Sequence, residues 1–164
     1  MQVKRRRKVL AIASAGGHWV QLLRLSPSWD GCDVVYVSTN PLYQGEAEAA
    51  AEARDQPVPR FYAVCDISRW SSKARLARCM IEIFWIVLRT RPDVIVTTGA
   101  APGFMALLAG VPFCRKRIWI DSIANVDEMS MSGRKARSVA TVWLTQWPQL
   151  ADEASGPSCW GSVI

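Results

Sequence analysis

Two short apolar runs that each end in a glycine loop constrain this chain more than any other feature. Val9–Ala13 leads into Ser14-Ala15-Gly16-Gly17-His18, and Val94–Thr98 leads into Gly99-Ala100-Ala101-Pro102-Gly103. A short continuous apolar run bounded by a tight turn reads as a strand buried on both faces, as in parallel sheets. Apolar residues then recur at helical spacing, at Trp19, Val20, Leu22 and Leu23 after the first loop and over Phe104–Ala109 after the second. The same alternation fills the rest of the chain. Asp33–Ser38, Arg60–Val64, Arg117–Ile120 and Ser138–Leu144 read as further strands. Gly45–Arg54, rich in alanine and glutamate, reads as a helix, as does Lys73–Arg89 behind a Ser71-Ser72 cap. The last ten residues, with Gly156, Pro157, Ser158 and Gly161, read as a loop-like tail. Alternating strands and helices predict an α/β fold, a parallel sheet with helices on both faces. No linker, repeat or low-complexity segment divides the chain, so one Rossmann-like domain over 1–164 is expected.

Half of the 164 residues are hydrophobic, enough for a packed core and against disorder. The net charge of +6 gathers in four blocks: Lys4 to Lys8; Arg69, Lys73, Arg75 and Arg78; Arg115 to Arg117; and Arg134, Lys135 and Arg137. Such blocks suit nucleic acid, anionic lipid or a phosphate-bearing substrate without choosing among them. They are not interleaved with aromatics in a nucleic-acid recognition motif, so nucleic acid is not the expected partner. Five cysteines without a CxxC pair, and one histidine, argue against a classical structural zinc site; no metal is expected, and the thiols read as reduced and mostly buried. The basic N-terminus with Ala13-Ser14-Ala15 also imitates a secretory signal, but its apolar run is short and a glycine pair follows at once.

In an open parallel sheet, ligands bind beyond the carboxyl ends of the strands, near the switch in strand order. A helix N-terminus there offers N–H groups and partial positive charge, and glycine admits close approach. Both glycine loops are therefore candidate contacts for one diphosphate. Each is equally readable as a simple turn, and neither matches GxGxxG or the Walker A pattern. His18 fits a general base, a phosphate donor or a helix cap. Asp121, Asn125, Asp127 and Glu128 show no metal-ligand spacing. Ser130, Ser132 and Gly133, with Arg134 and Lys135, fit an anion contact or a capped helix start.

The Lys73–Arg89 helix carries a third signal. Met80–Leu88 is apolar apart from Glu82, far short of the roughly 20 residues that span a bilayer. Arg75, Arg78, Glu82 and Arg89 share a stripe that includes Trp85, and Trp70 sits just ahead. The expected membrane contacts are Trp70, Arg75, Arg78, Ile81, Phe84 and Trp85, as on a helix lying in the lipid interface. The plainer alternative is a core helix with one solvated stripe.

Several stretches carry a family resemblance: Ser14-Ala-Gly-Gly-His-Trp-Val-Gln-Leu-Leu-Arg-Leu25, Thr98-Gly-Ala-Ala-Pro-Gly103 and Ile120-Asp-Ser-Ile-Ala-Asn-Val-Asp-Glu-Met-Ser-Met-Ser-Gly133, with Thr145-Gln-Trp-Pro148 and Trp160-Gly161. Together they resemble the membrane-anchoring subunits of two-part N-acetylglucosamine transferases of dolichol-linked oligosaccharide synthesis and their bacterial capsule and exopolysaccharide relatives. The resemblance implies the N-terminal, acceptor-side half of a GT-B glycosyltransferase cut into two polypeptides. It implies that Ser14, Gly16, Gly17, Thr98, Gly99, Gly103 and Asp121 face a polyprenyl-diphosphate-linked sugar acceptor, and that His18 is its base or orienting group. The UDP-sugar donor would sit on a separate catalytic subunit, and this chain would hold no cofactor. Eukaryotic members carry an N-terminal membrane span that is not seen here, so a bacterial protein held peripherally on the cytoplasmic face of the inner membrane is expected. Asp121 stands where members often have glutamate. Trp160, Val163 and Ile164 read as a docking element for the partner or as a frayed end. A basic nucleic-acid-binding domain and a purely structural anchor are the alternatives.

Overall fold

The computed structural model describes residues 5–67, 71–152 and 154–163. The apolar runs become strands β1 (Lys8–Ala13), β2 (Asp33–Ser38), β3 (Arg60–Ala63), β4 (Val94–Thr97), β5 (Lys116–Ile120) and β6 (Val142–Thr145), followed by a two-residue β7 (Ser158–Cys159). Between them lie helices α1 (Gly17–Arg24), α2 (Tyr43–Glu52), α3 (Lys73–Thr90), α4 (Ala100–Gly110) and α5 (Met131–Ala136). The seven strands form one sheet in the order β3-β2-β1-β4-β5-β6-β7, and every neighbouring pair is parallel. Strand order therefore reverses between β1 and β4, whose register sets Ile12 beside Thr97. Both glycine loops leave the sheet at this switch point.

Period-two alternation divides the strand side chains between two layers. Leu10, Ile12, Val35, Val37, Ile95 and Trp119 pack under α3, α4 and α5 with Cys79, Ile83, Val87, Ala106 and Leu107. Val9, Ala11, Ala13 and Tyr36 pack under α1 and α2 with Trp19, Leu22 and Ala47. Each fully buried aliphatic side chain contributes about 1.5–3 kcal/mol. The second layer is incomplete. Among the described residues no α-helix covers it over β4, β5 and β6, and Val94, Val96, Ile118, Ile120 and Leu144 line an apolar groove of about 530 Å³ with the strip Trp160–Val163.

The ends of α3 follow from its sequence. Ser72 Oγ accepts from Arg75 N, and Arg91 closes the helix in the left-handed conformation at φ 45°. A serine cap contributes about 1 kcal/mol. At the amino edge, Asp93 accepts from the Lys8 N–H at 2.8 Å and from Arg5 at 3.3 Å. These donors hold its carboxyl below the usual range, the backbone hydrogen bond from Lys8 most of all.

The structure corrects four sequence expectations. The helix expected over Phe104–Ala109 begins at Ala100, because Pro102 falls in its first turn, where a missing N–H costs little. The strand expected over Ser138–Leu144 begins at Val142: residues 137–139 are still in a turn, with Val139 N and Ala140 N both donating to Ala136 O. The tail contains β7, too short for any periodicity to reveal, which pairs with β6. Of the five free cysteines, Cys79 and Cys114 are buried, but Cys32, Cys65 and Cys159 are half-buried. Burial first, and hydrogen bonding with Cys65 second, push the Cys79 thiol up to about 12.

Candidate functional site

The first glycine loop is outermost at the switch point. Ala15, Gly16 and Gly17 are exposed, and Ser14 and His18 are half-buried. Gly16 adopts φ 81°, a conformation that glycine reaches at little cost, and turns the chain from β1 into α1 without a side-chain cap. Two hydrogen bonds fix the loop to its neighbours. Ala15 N donates to Thr39 Oγ1 and Gly16 N to Tyr43 Oη, both at 3.0 Å. Tyr43 in turn stacks on Trp19, with ring centroids 4.9 Å apart, and Trp19 Nε1 donates to Glu46 at 2.8 Å. The uncapped first turn of α1 thus faces outward at a set position, with the unpaired N–H groups that anions favour.

The second loop lies beneath the first. Thr98, Gly99 and Gly103 are all buried. The Gly99 N–H is already donated to Thr97 Oγ1 at 3.1 Å. A Cβ on Gly99 would lie 2.7 Å from His18 Cε1, and one on Gly103 would overlap the Thr97 hydroxyl. Gly99 lies against the His18 ring and Gly103 against Thr97, so Thr98, Gly99 and Gly103, expected as acceptor contacts, are buried beneath the first loop. Two hydrogen bonds join the loops: His18 Nδ1 to Thr98 O at 2.8 Å, and Thr98 Oγ1 to His18 O at 2.6 Å.

Asp121, expected to face acceptor, is also turned inward. Its carboxylate is 1% exposed and accepts from Trp119 Nε1, Asn125 Nδ2, Ser130 N and Ser130 Oγ at 2.6–3.1 Å. Four donors satisfy it, so it organises the loop between β5 and α5 rather than meeting a ligand. Ser130 also accepts from Gly133 N, which makes the Ser130–Lys135 stretch a capped helix start. Among the described residues, no three metal-ligating side chains gather in one place.

One feature of the site escaped sequence reading. Gln21, one turn beyond His18, donates to Ser122 Oγ at 3.1 Å and accepts from Ile123 N at 3.2 Å and Gln146 Nε2 at 2.6 Å. Gln146 also donates to Asp121 O at 2.8 Å, and its Oε1 accepts from Val163 N at 2.7 Å. Two buried amides thus tie α1 to the carboxyl ends of β5 and β6 and to the C-terminal strip, whose described residues are anchored at Val163. The only sequence signal was two glutamines set among apolar residues.

The outer face of α3 is separate from this cleft. Cys79, Ile83, Ile86, Val87 and Thr90 are buried, so the core takes one stripe only. Ile81 is 68% exposed, Trp85 55% and Phe84 42%, with Leu76 and Leu88 beside them. Phe113, after α4, meets Phe84 edge-on at 6.2 Å, and Arg89 lies 5.4 Å from the Trp85 ring. Arg75 is exposed, and Arg78 pairs with Glu82 at 2.8 Å. Trp70, expected with this group, lies outside the described residues. Among the described residues, no helix is long and apolar enough to cross a membrane.

Comparison with known proteins places this geometry. Residues 9–163 match the family described as "Oligosaccharide biosynthesis protein Alg14 like". The human UDP-N-acetylglucosamine transferase subunit ALG14 is 26% identical over 170 residues, covering 88% of this chain and 77% of its own. The same subunit from Eremothecium gossypii is 24% identical over 180 residues, covering 96% and 80%. Among solved structures, MurG of Acinetobacter baumannii aligns with a TM-score of 0.69 at 14% identity, covering 95% of this chain and 46% of that one. A UDP-N-acetylglucosamine 2-epimerase aligns at 0.60 and 10% identity, covering 88% and 43%. The chain thus spans about half the length of these solved structures, and what they share with it is the fold.

Proposed function

The chain belongs to the Alg14-like family of oligosaccharide biosynthesis proteins, and on that premise we propose that it is the acceptor-side subunit of a two-component UDP-sugar glycosyltransferase. The donor is UDP-N-acetylglucosamine or a close relative, bound by a separate catalytic subunit, and the acceptor is a polyprenyl-diphosphate-linked saccharide. The observation that carries this reading is His18 fixed beside the Ser14–Gly17 loop, exposed at Ala15, Gly16 and Gly17, at the switch point. An imidazole and an anion-accepting turn there meet the needs of a diphosphate-linked hydroxyl acceptor. The Ser14–Gly17 loop receives the diphosphate, and His18 accepts or orients the hydroxyl proton.

Two further surfaces complete the proposal. The apolar groove over β4–β6, with its Trp160–Val163 wall, is the seat for the donor-binding subunit, since an uncovered face of this kind is costly to leave in water. The outer face of α3, through Ile81, Phe84 and Trp85 with Arg75 and Arg78 at its flank, rests on the cytoplasmic face of an anionic membrane.

Co-expression with the small donor-binding glycosyltransferase tests the assignment. Membranes holding each subunit alone and both together are assayed for transfer from UDP-N-acetylglucosamine to a polyprenyl-diphosphate-linked sugar. Transfer with both subunits only is the expected result; transfer by the partner alone, or failure to co-purify, overturns it. Ile81→Ser with Trp85→Ser should release the complex from anionic vesicles, and unchanged sedimentation would remove the α3 surface from the proposal.

A further inference from the structure

The two hydrogen bonds between His18 and Thr98 run in opposite directions, and their polarity is decided by chemistry. A carbonyl oxygen has no proton to give, so the 2.8 Å contact from Thr98 O to His18 Nδ1 places the proton on Nδ1. In a neutral imidazole the lone pair then sits on Nε2. Nε2 has no hydrogen-bond partner among the described residues, and the half-buried His18 stands beside the exposed Ala15–Gly17 turn. The ring's Cε1–Nδ1 edge lies against Gly99, 2.7–2.8 Å from where a Cβ would stand. The Thr98 hydroxyl, donating to His18 O at 2.6 Å, fixes the first turn of α1 from which the ring projects. Thr98 itself is fully buried and does not touch substrate.

We infer that Thr98 is the positioning residue of this site: its carbonyl holds His18 in the Nδ1–H tautomer, with Nε2 as the accepting nitrogen, while its hydroxyl holds the backbone beneath. This rests on the reading of His18 as the acceptor's base and says which nitrogen does the work. In the transfer step the acceptor oxygen bonds to the anomeric carbon of the donor sugar as that carbon's bond to the diphosphate oxygen breaks. The electron pair leaves with UDP, and the hydroxyl proton passes to Nε2. His18 then carries two protons and a positive charge. The Nδ1–H bond to Thr98 O strengthens as that charge develops, so the carbonyl stabilises the transition state more than the ground state.

The chain has one histidine, so its imidazole signals need no assignment. The chain is labelled with 15N-histidine and studied in complex with the donor-binding subunit. A protonated-type shift at Nδ1 and an unprotonated-type shift at Nε2 are expected for the neutral ring; the reverse pattern overturns the inference. Thr98→Val keeps the shape and removes the hydroxyl. The carbonyl remains, so the Nδ1–H pattern should persist, while loss of the hydroxyl's hold on the first turn of α1 should lower kcat roughly tenfold with little change in KM for the UDP-sugar; Thr98→Ser should restore kcat. Unchanged kcat in Thr98→Val overturns the positioning role of the hydroxyl. Failure of the base reading has its own signature: His18→Gln transfers sugar normally while the wild-type spectrum still shows Nδ1–H, which upholds the tautomer and removes only its catalytic use.

Discussion

The two glycine loops look interchangeable as strings, yet they meet opposite surroundings. Around Gly16 and Gly17 a Cβ would find no atom within 4 Å. Around Gly99 and Gly103 it would meet the His18 ring and the Thr97 side chain. The first loop is glycine-rich with open space before it, the second because other atoms already occupy that space. Glycine content marks both where a ligand approaches and where a chain must pack. Only the neighbours tell which, and here they leave the first loop open and pack the second.

Four substitutions can break or sharpen that contrast. Gly103→Ala should cost most, about 2–3 kcal/mol of stability, because the new methyl drives into Thr97 against a packed sheet; chemical denaturation measures it. A loss under 0.5 kcal/mol would show that α4 shifts freely and that the second loop is not a rigid floor. Gly99→Ala, at φ 130°, should cost about 1–2 kcal/mol and displace the His18 ring, read as a changed histidine signal at a given pH. Gly17→Ala should behave in the opposite sense. It has ordinary φ and open space, so the fold gains about 0.5–1 kcal/mol while the acceptor KM rises roughly tenfold. A stabilised variant with unchanged KM would take the diphosphate away from the first loop. Ala100→Gly should have the smallest effect. Ala100 stands at φ 64° where α4 begins, and relieving that strain against the added chain entropy of glycine leaves a gain of at most about 1 kcal/mol by thermal melting.

Strands were the most legible part of the chain because their signal is local. Asp33–Ser38 needed only its own apolar run and the turn residues after it, and the cap at Ser72 needed only its neighbours. The α3 helix was legible in part. Its length and apolar arc could be read, but which apolar residues faced the core could not. Ile83 and Val87 went inward while Phe84 and Trp85 stayed out, because the sheet takes a narrower stripe than the sequence offers. Asp121 misled for a related reason. A carboxylate after a strand is a common place for chemistry, and only the folded loop supplies the four donors that retire it.

The sequence by itself determined the alternation of strands and helices, the parallel sheet that follows from it, and the presence of a lone histidine behind a glycine turn. The tertiary structure decided that β1 and β4 are neighbours, that Thr98 lies under His18 across 80 residues, and that Gln21 meets Gln146 across 125. Propensity and periodicity act over one or two turns of chain, so they fix elements. A hydrogen bond between distant loops depends on strand order and register, which are set by burying all the apolar faces together, and no local stretch contains that information.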